Sequence, residues 1–559
     1  MTRHSVELLV GGRIYSSSHP DATAMAVRDG VVVWLGADNT GRAHFPHARV
    51  VDLDDGFVTP AFVDSHIHVT ATGLTLTGLD LRPATSRRHC LRMVADYAAA
   101  HRGQPVWGHG WDESRWPEHE PPSTAELDAV LGDRPGYLAR IDMHSALASS
   151  ALRRLVPGLA GAAGFSAQRP LVGEAHRLVR AAARGRLTGG QLAEARTAAL
   201  DAAAACGIVA VHECAGPGIG GLDDWQRVRD SGHRVEVIGY WGEAVTSPGR
   251  ARHLLRETGA RGLAGDLFVD GALGSRTAWL HEPYADSPES SGVCYLDPEA
   301  ITAHLRACTE AGVTAGFHVI GDAAVSAVVT ALEQVVDAFG VAAVARCGHR
   351  LEHVEMVTAD QAAKLAAWGV IASVQPNFDA LWGGRHGMYA DRLGAERASR
   401  LNNVALLASQ GVPLAFGSDA PVTDLNPWTS VRAAANHRTP GSAVSAQAAF
   451  AAATRGGWRA AGVRDALAGT LTPGAPASYA IWDIGELDSG APTWLAEVSA
   501  HRGAEHSGVS RPGRSGGADA RRRGPAALRS RVPALPRLGP ADALPRCRQT
   551  VRGGLVIYG

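Results

Sequence analysis

The run FVDSHIHVTATG, residues 62–73, carries two histidines one residue apart in a stretch whose apolar neighbours mark it as a strand. Side chains at i and i+2 leave the same face of a strand, so His66 and His68 point together with Ile67 opposite. The preceding GFVTPAFVD is apolar enough to be buried, and two imidazoles buried side by side need partners. A shared metal ion is one such partner; ordinary hydrogen bonds of core histidines are the other. Three further strand-like runs favour the metal: His318 in GFHVIGD, His353 in HRLEHVE and Asp419 in AFGSDAP. Neutral imidazoles suit zinc and related divalent ions. Such an ion acidifies bound water and polarises a carbonyl oxygen, and a carboxylate beside the water, here Asp419, can move its proton to a leaving amine. The set is machinery for hydrolysing an amide-like carbon near neutral pH.

These residues need a scaffold that brings strand ends together. Eight short apolar runs follow one another: FVTPAFVDSHIH, GIVAVHEC, RVEVIGYW, GDLFVDG, TAGFHVIG, RLEHVE, VIASVQP and PLAFGSDAP. Alanine-rich helical stretches such as AAVSAVVTALEQVVDAFG separate most of them. The pattern predicts an α/β fold, a (β/α)8 TIM-like barrel whose site forms at the C-terminal rim of the strands. The first two runs are separated by about 140 residues, too many for one crossover loop. An inserted subdomain over about 74–204 is expected, with PVWGHGW and GYLARID as strands. LLVGGRIY near the start and TVRGGLVIYG at the finish both read as strands around Gly-Gly, and with TPGAPASYAIWD they predict a small β-sandwich built from both termini. The expected division is 1–56 and 466–500 with 532–559 for the sandwich, 57–465 for the barrel, and 501–531 as an Arg/Gly-rich disordered segment.

Composition narrows the function classes. The 559 residues are 45% hydrophobic and 19% charged, with a formal net charge of -1, which suits a globular chain and gives no general electrostatic case for nucleic acid or a membrane surface. Seven scattered cysteines without CxxC spacing and the absence of a long apolar leader predict reduced thiols and a cytoplasmic location. No run approaches the length of an apolar membrane span. Small-molecule substrate is the expected partner, and a homodimer is compatible with it. GPGIGG, 216–221, fits a dinucleotide-binding loop after a strand, but Pro217 stiffens the turn and that reading leaves the histidines unexplained.

The runs VTPAFVDSHIH, GWDESRWPE, DGALGSRTAWLHEPYAD, FHVIGDAAV, HRLEHVE, SVQPNF, AFGSDAPV and AATRGGWRAAG together resemble the amidohydrolase superfamily, and within it the YtcJ-like "amidohydrolase 3" group. The resemblance implies a metal-dependent barrel beside a small β-sandwich. It implies His66, His68, His318, His353 and Asp419 as metal and catalytic residues, with His353 and Asp419 closest to catalysis. It also implies hydrolysis of C–N bonds outside ordinary peptides, with zinc, one or two ions, as the expected cofactor. Many relatives carry a fourth-strand lysine whose carbamylated side chain bridges two metals. The one lysine here, Lys364, lies in a helical run, so such a bridge is excluded, and Asp266, Asp270 and Glu174 are the candidate bridging carboxylates. His144 resembles a substrate-facing histidine of the group, and Trp111, Asp112, Arg276 and Gln375 are further candidates for substrate contact, Arg276 for an anionic group. Arg350 and Glu352 are expected as a supporting ion pair. The competing reading is a catalytically impaired barrel with a binding or regulatory role.

Overall fold

The computed structural model describes residues 6–488 and 533–559. The Arg/Gly-rich tract at 501–531 lies outside them. At the centre, parallel strands form a closed ring. Phe62–Ile67 pairs with Ile208–Ala215, which pairs with Glu236–Trp241. Gly316–Val319, Arg350–His353, Ile371–Val374 and Leu414–Phe416 continue in order, each parallel to the next. A parallel bridge from Ile67 to Ala420 closes the ring. Most of these strands are buried on both sides, as runs such as IVAVHECA require, while Glu236–Ile238 and Leu414 are half-buried. Helices including Pro298–Ala311 and Asp322–Phe339 cover the outside with their apolar faces.

The fourth position departs from the expected strand. Gly262 bridges Tyr240, Leu263 bridges Ala315 and Phe268 bridges His318, but no continuous strand runs between them. Gly265 takes φ = +74°, a conformation open to glycine at little cost, and a Cβ there would approach Cys214 and Tyr240 to 3.1–3.2 Å. The kink interrupts the ladder at the residue before Asp266. A glycine inside a strand-like run marks such irregularity.

Between the first two ring strands lies a separate sheet, in the order Leu171–Val172, Ser145–Ala148, Gly136–Arg140, Val106–Trp111, Leu79–Asp80. Its central strands alternate between two cores. Trp107, Tyr137 and Ala139 face one, shared with the helix Gly173–Arg184, while Val106, Trp111 and Leu138 face the other, under the helix Arg87–Ala100. The chain returns through the helix Gly189–Ala205, packed against Val69–Thr77 so closely that a Cβ on Gly73 would sit 1.7 Å from the Ala195 carbonyl oxygen.

Both ends of the chain meet in two further sheets. One holds Val31–Gly36, Ala24–Arg28, Glu7–Val10 and Arg49–Asp52; the other holds Arg13–Ile14, Phe57–Pro60, Tyr479–Asp483, Arg546–Arg552 and Leu555–Tyr558. Leu9, Met25, Val58, Ile481 and Val551 share one core between them. Among the described residues no single helix is long and apolar enough to cross a membrane.

Candidate metal centre

The strand Phe62–Ile67 delivers His66, and His68 follows as the cap of the helix Val69–Thr77. The fifth and sixth positions of the ring deliver His318 and His353, and the loop after Leu414–Phe416 delivers Asp419. His353 and Asp419 both adopt left-handed backbone angles, φ = +70° and +52°. Residues held there cost free energy and gather at functional sites.

Asp266, at the kink, sits among these side chains. Its Oδ1 lies 3.5 Å from His66 Nε2 and 3.4 Å from His318 Nδ1, and its Oδ2 lies 3.1 Å from His68 Nε2. Asp419 Oδ1 is 3.4 Å from both His66 Nε2 and His68 Nε2. Ligand-type atoms of His66, His68 and Asp419 fall within 4.8 Å of one another, and so do those of His66, Asp266 and His353.

The outer nitrogens of three histidines are already engaged. His66 Nδ1 lies 2.8 Å from Glu352 Oε2, His353 Nδ1 lies 2.7 Å from Gln375 Oε1, and His318 Nε2 lies 3.3 Å from the Gly271 carbonyl. Each of these partners accepts, so each of these nitrogens carries the hydrogen in the neutral ring and the other nitrogen offers a lone pair. The inward atoms His66 Nε2, His318 Nδ1 and His353 Nε2, with Asp266 Oδ1, are buried without a hydrogen-bond partner. Lone pairs and carboxylate oxygens facing each other at 3.4–3.5 Å are repulsive unless a cation or proton lies between them. The donor set therefore fits a divalent ion.

Electrostatics point the same way. Burial opposes charge on His68, yet hydrogen bonding and attraction from Asp266 and Asp419 carry its imidazole up to about 10. Burial likewise opposes charge on Asp266, and the histidines hold its carboxyl well below the usual range. Without an ion, protons on the histidines neutralise the carboxylates. Glu352 is buried too, but Arg350 and His66 hold it well below an ordinary carboxyl. Arg350 Nε reaches Glu352 Oε1 at 2.6 Å and its Nη2 reaches the Ser65 carbonyl at 2.7 Å, so this buried pair fixes the outer face of His66. Such partners orient ligands and raise their basicity.

A cavity of about 330 Å³ opens onto the cluster, lined by His68, His144, Asp266, His318, His353 and Asp419 among others. The His144 ring stands 5.2 Å from that of His318, and burial followed by repulsion from His318 lowers its imidazole to about 3, so it is neutral.

Other expected site residues lie elsewhere. Asp270 is no bridge: its carboxylate accepts the amides of Trp279, Ile320 and Gly321 at 2.8–3.0 Å and pins the loops behind the cluster. Glu174 is exposed at the start of a helix and accepts the Ala163 amide at 3.3 Å. Trp111 points into the core of the inserted sheet and donates to the Leu138 carbonyl. Asp112 is taken up by Arg140 and Ser114. Arg276 is paired with Asp286 through two hydrogen bonds, 3.0 and 2.6 Å, and serves its loop. Gln375 positions His353 rather than lining the cavity.

Sequence reading missed the lining supplied by the helix Gly173–Arg184, where His176, Arg180 and Arg184 stand; Tyr295 and Phe268 line the cavity too, the Phe268 ring 4.9 Å from that of His318. The signal was present: 176, 180 and 184 recur every four residues, one face of a helix. The GPGIGG loop also turns into this cavity, with Pro217, Gly218 and Ile219 on its wall.

Comparison with known proteins agrees with the geometry. A model described as "Amidohydrolase family" matches residues 49–558. The chain is 29% identical over 525 residues to Protein LONG AFTER FAR-RED 3 of Arabidopsis thaliana, covering 86% of this chain and 88% of that protein. It is 29% identical over 465 residues to the putative amidohydrolase YtcJ of Bacillus subtilis (strain 168), covering 76% and 82%. An uncharacterized metal-dependent hydrolase from Pyrococcus horikoshii OT3 shares the fold with a TM-score of 0.66 and 25% identity, over 86% of this chain and 98% of that one. With the matched region taking in the whole His/Asp cluster, the chain belongs to the amidohydrolase family, in its YtcJ-like branch.

Proposed function

We propose that the protein is a metal-dependent amidohydrolase that hydrolyses an amide-like, non-peptide C–N bond of a small molecule. The observation carrying this reading is the set of buried lone-pair nitrogens facing Asp266 and Asp419, with their outer nitrogens already bonded. His66, His68 and Asp419 would hold one ion, and His318 and His353 a second where two are bound, with Asp266 as the shared carboxylate in place of a lysine-derived bridge. Zinc is the expected metal, since the donors are mostly imidazole. When bound, it supplies Lewis acidity that polarises the scissile carbonyl and lowers the pKa of water.

The chain's own groups do the rest. Asp419 Oδ accepts a proton from the attacking water and returns it to the departing nitrogen, so an amide and water give an acid and an amine. Neutral His144 has an N–H to offer the substrate carbonyl without giving up charge. Around this site we read 57–465 as a (β/α)8 barrel carrying an insertion, with the remaining strands as its sandwich partner.

The test is a panel of amides, carbamates and aminopurine-type deaminase substrates offered to chelated and zinc-restored protein. Turnover of a C–N bond that vanishes on chelation and returns with zinc is the expected result. A metal-loaded protein inert to the whole panel would favour the binding or regulatory role instead.

A further inference from the structure

The helix Gly173–Arg184 brings charge to the cavity that the chain does not fully balance. His176, Arg180 and Arg184 share one face of it and line the same cavity as the His/Asp cluster, and exposed Arg177 lines it too. Arg184 is answered: its guanidinium lies 2.6 Å from Asp224, which Arg196 also reaches at 3.0 Å. His176 is answered by the Tyr137 hydroxyl at 2.8 Å. Arg180 donates to the Gly218 carbonyl, and among the described residues no carboxylate lies within ion-pair distance of it or of Arg177. Burial is the main influence lowering the Arg180 guanidinium, and Arg184 and Arg177 add repulsion. Arg180 is half-buried on the cavity wall, so its guanidinium stays within reach of a ligand and no carboxylate of the described residues competes for it.

Building on the hydrolase reading, we propose that Arg180 receives a carboxylate of the substrate, so that the enzyme acts on small amides that bear a carboxylate at the end remote from the scissile bond. A guanidinium offers a planar fork that matches a carboxylate's two oxygens. Trp107, Phe268 and Tyr295 line the same cavity and suit an apolar body. The volume, about 330 Å³, is that of a small-molecule site. Arg276, the residue the sequence offered for an anionic group, is already paired with Asp286.

Binding rather than turnover tests this, so that failure of the hydrolase reading leaves the result interpretable. The probes are ω-acetamidoalkanoates such as 6-acetamidohexanoate and their carboxamides, which share the amide and the apolar spacer but not the negative charge. Calorimetry would use zinc-loaded full-length protein carrying Asp419→Asn, alone and combined with Arg180→Gln, with metal content and melting recorded. We expect the carboxylates to bind about tenfold or more tightly than the carboxamides, and Arg180→Gln to erase that preference with zinc content unchanged. Arg180→Lys, which keeps the charge but not the fork, should keep part of it. Equal affinity within each pair, no carboxylate binding at millimolar concentration, or a preference that survives Arg180→Gln would overturn the proposal. The last would place the carboxylate on the metal. If Arg180→Gln melts without cooperativity, Arg180→Lys takes its place, and a carboxylate preference undiminished in that variant overturns the proposal.

Discussion

Gln375 shows how one residue can matter without touching substrate. Its Oε1 holds His353 Nδ1 at 2.7 Å, while its Nε2 is buried without a partner. Gln375→Leu removes the acceptor but also removes an unsatisfied amide, so stability should change little. Freed of its orienting bond, His353 should bind metal roughly 10–100-fold more weakly, read by competition with a chelator. Unchanged metal affinity would remove Gln375 from the site's support. Asp419 carries a different expectation. Asp419→Asn keeps the shape but not the proton-accepting charge. Metal should still bind, somewhat more weakly, while turnover falls by on the order of a hundredfold or more. Near-normal turnover at saturating zinc would take Asp419 out of the mechanism.

Elements set how close these side chains come, and much of that is written in glycines. At Gly73 the two helices Val69–Thr77 and Gly189–Ala205 touch backbone to backbone, and the first of them begins at His68. Gly73→Ala should force them apart and cost about 1–3 kcal/mol, seen as a lower melting temperature, with metal affinity falling because His68 moves with its helix. A variant as stable as the parent would show that the helices can slide apart without strain. The ring strands were legible in the sequence because parallel strands read as short, wholly apolar runs. The pair His66 and His68 was legible from the two-residue period. The fourth position was not: GDLFVDG has a strand's composition, and only the φ of Gly265 and its closeness to Cys214 reveal the kink before Asp266. Asp266 stood near the place of the relatives' lysine, but Asp270 in the same short run remained a candidate bridge beside it. Three backbone amides arriving from distant loops distinguish them, and no local pattern encodes those. Arg276 was singled out and Arg180 passed over for a related reason: no local pattern shows that a carboxylate ten residues on answers the charge of Arg276.

At the scale of the whole molecule the ends of the chain act together. Tyr479–Asp483 pairs with Phe57–Pro60 on one side and Arg546–Arg552 on the other, and Thr550 Oγ1 donates to the Ala204 carbonyl at the end of the helix that leads into the ring. Removing 546–559 leaves Tyr479–Asp483 with a free edge and uncovers the core around Ile481 and Trp482, so the truncated protein should aggregate on expression. A soluble, monodisperse truncation would show that the last two strands are dispensable to the sheet. The metal centre, by contrast, draws all its side chains from residues 66–419, and its integrity is the claim on which the functional reading rests.

Elemental analysis of the purified chain, after chelation and reconstitution with zinc, tests that claim most directly when set beside His66→Ala. His66 belongs to each of the candidate donor groups, so its loss should disable them together. At least one tightly held zinc ion per chain is expected in the parent protein, and loss of most of it in the variant, with both proteins folded. A folded parent that retains no metal, or a His66→Ala protein that retains the full complement, would contradict it.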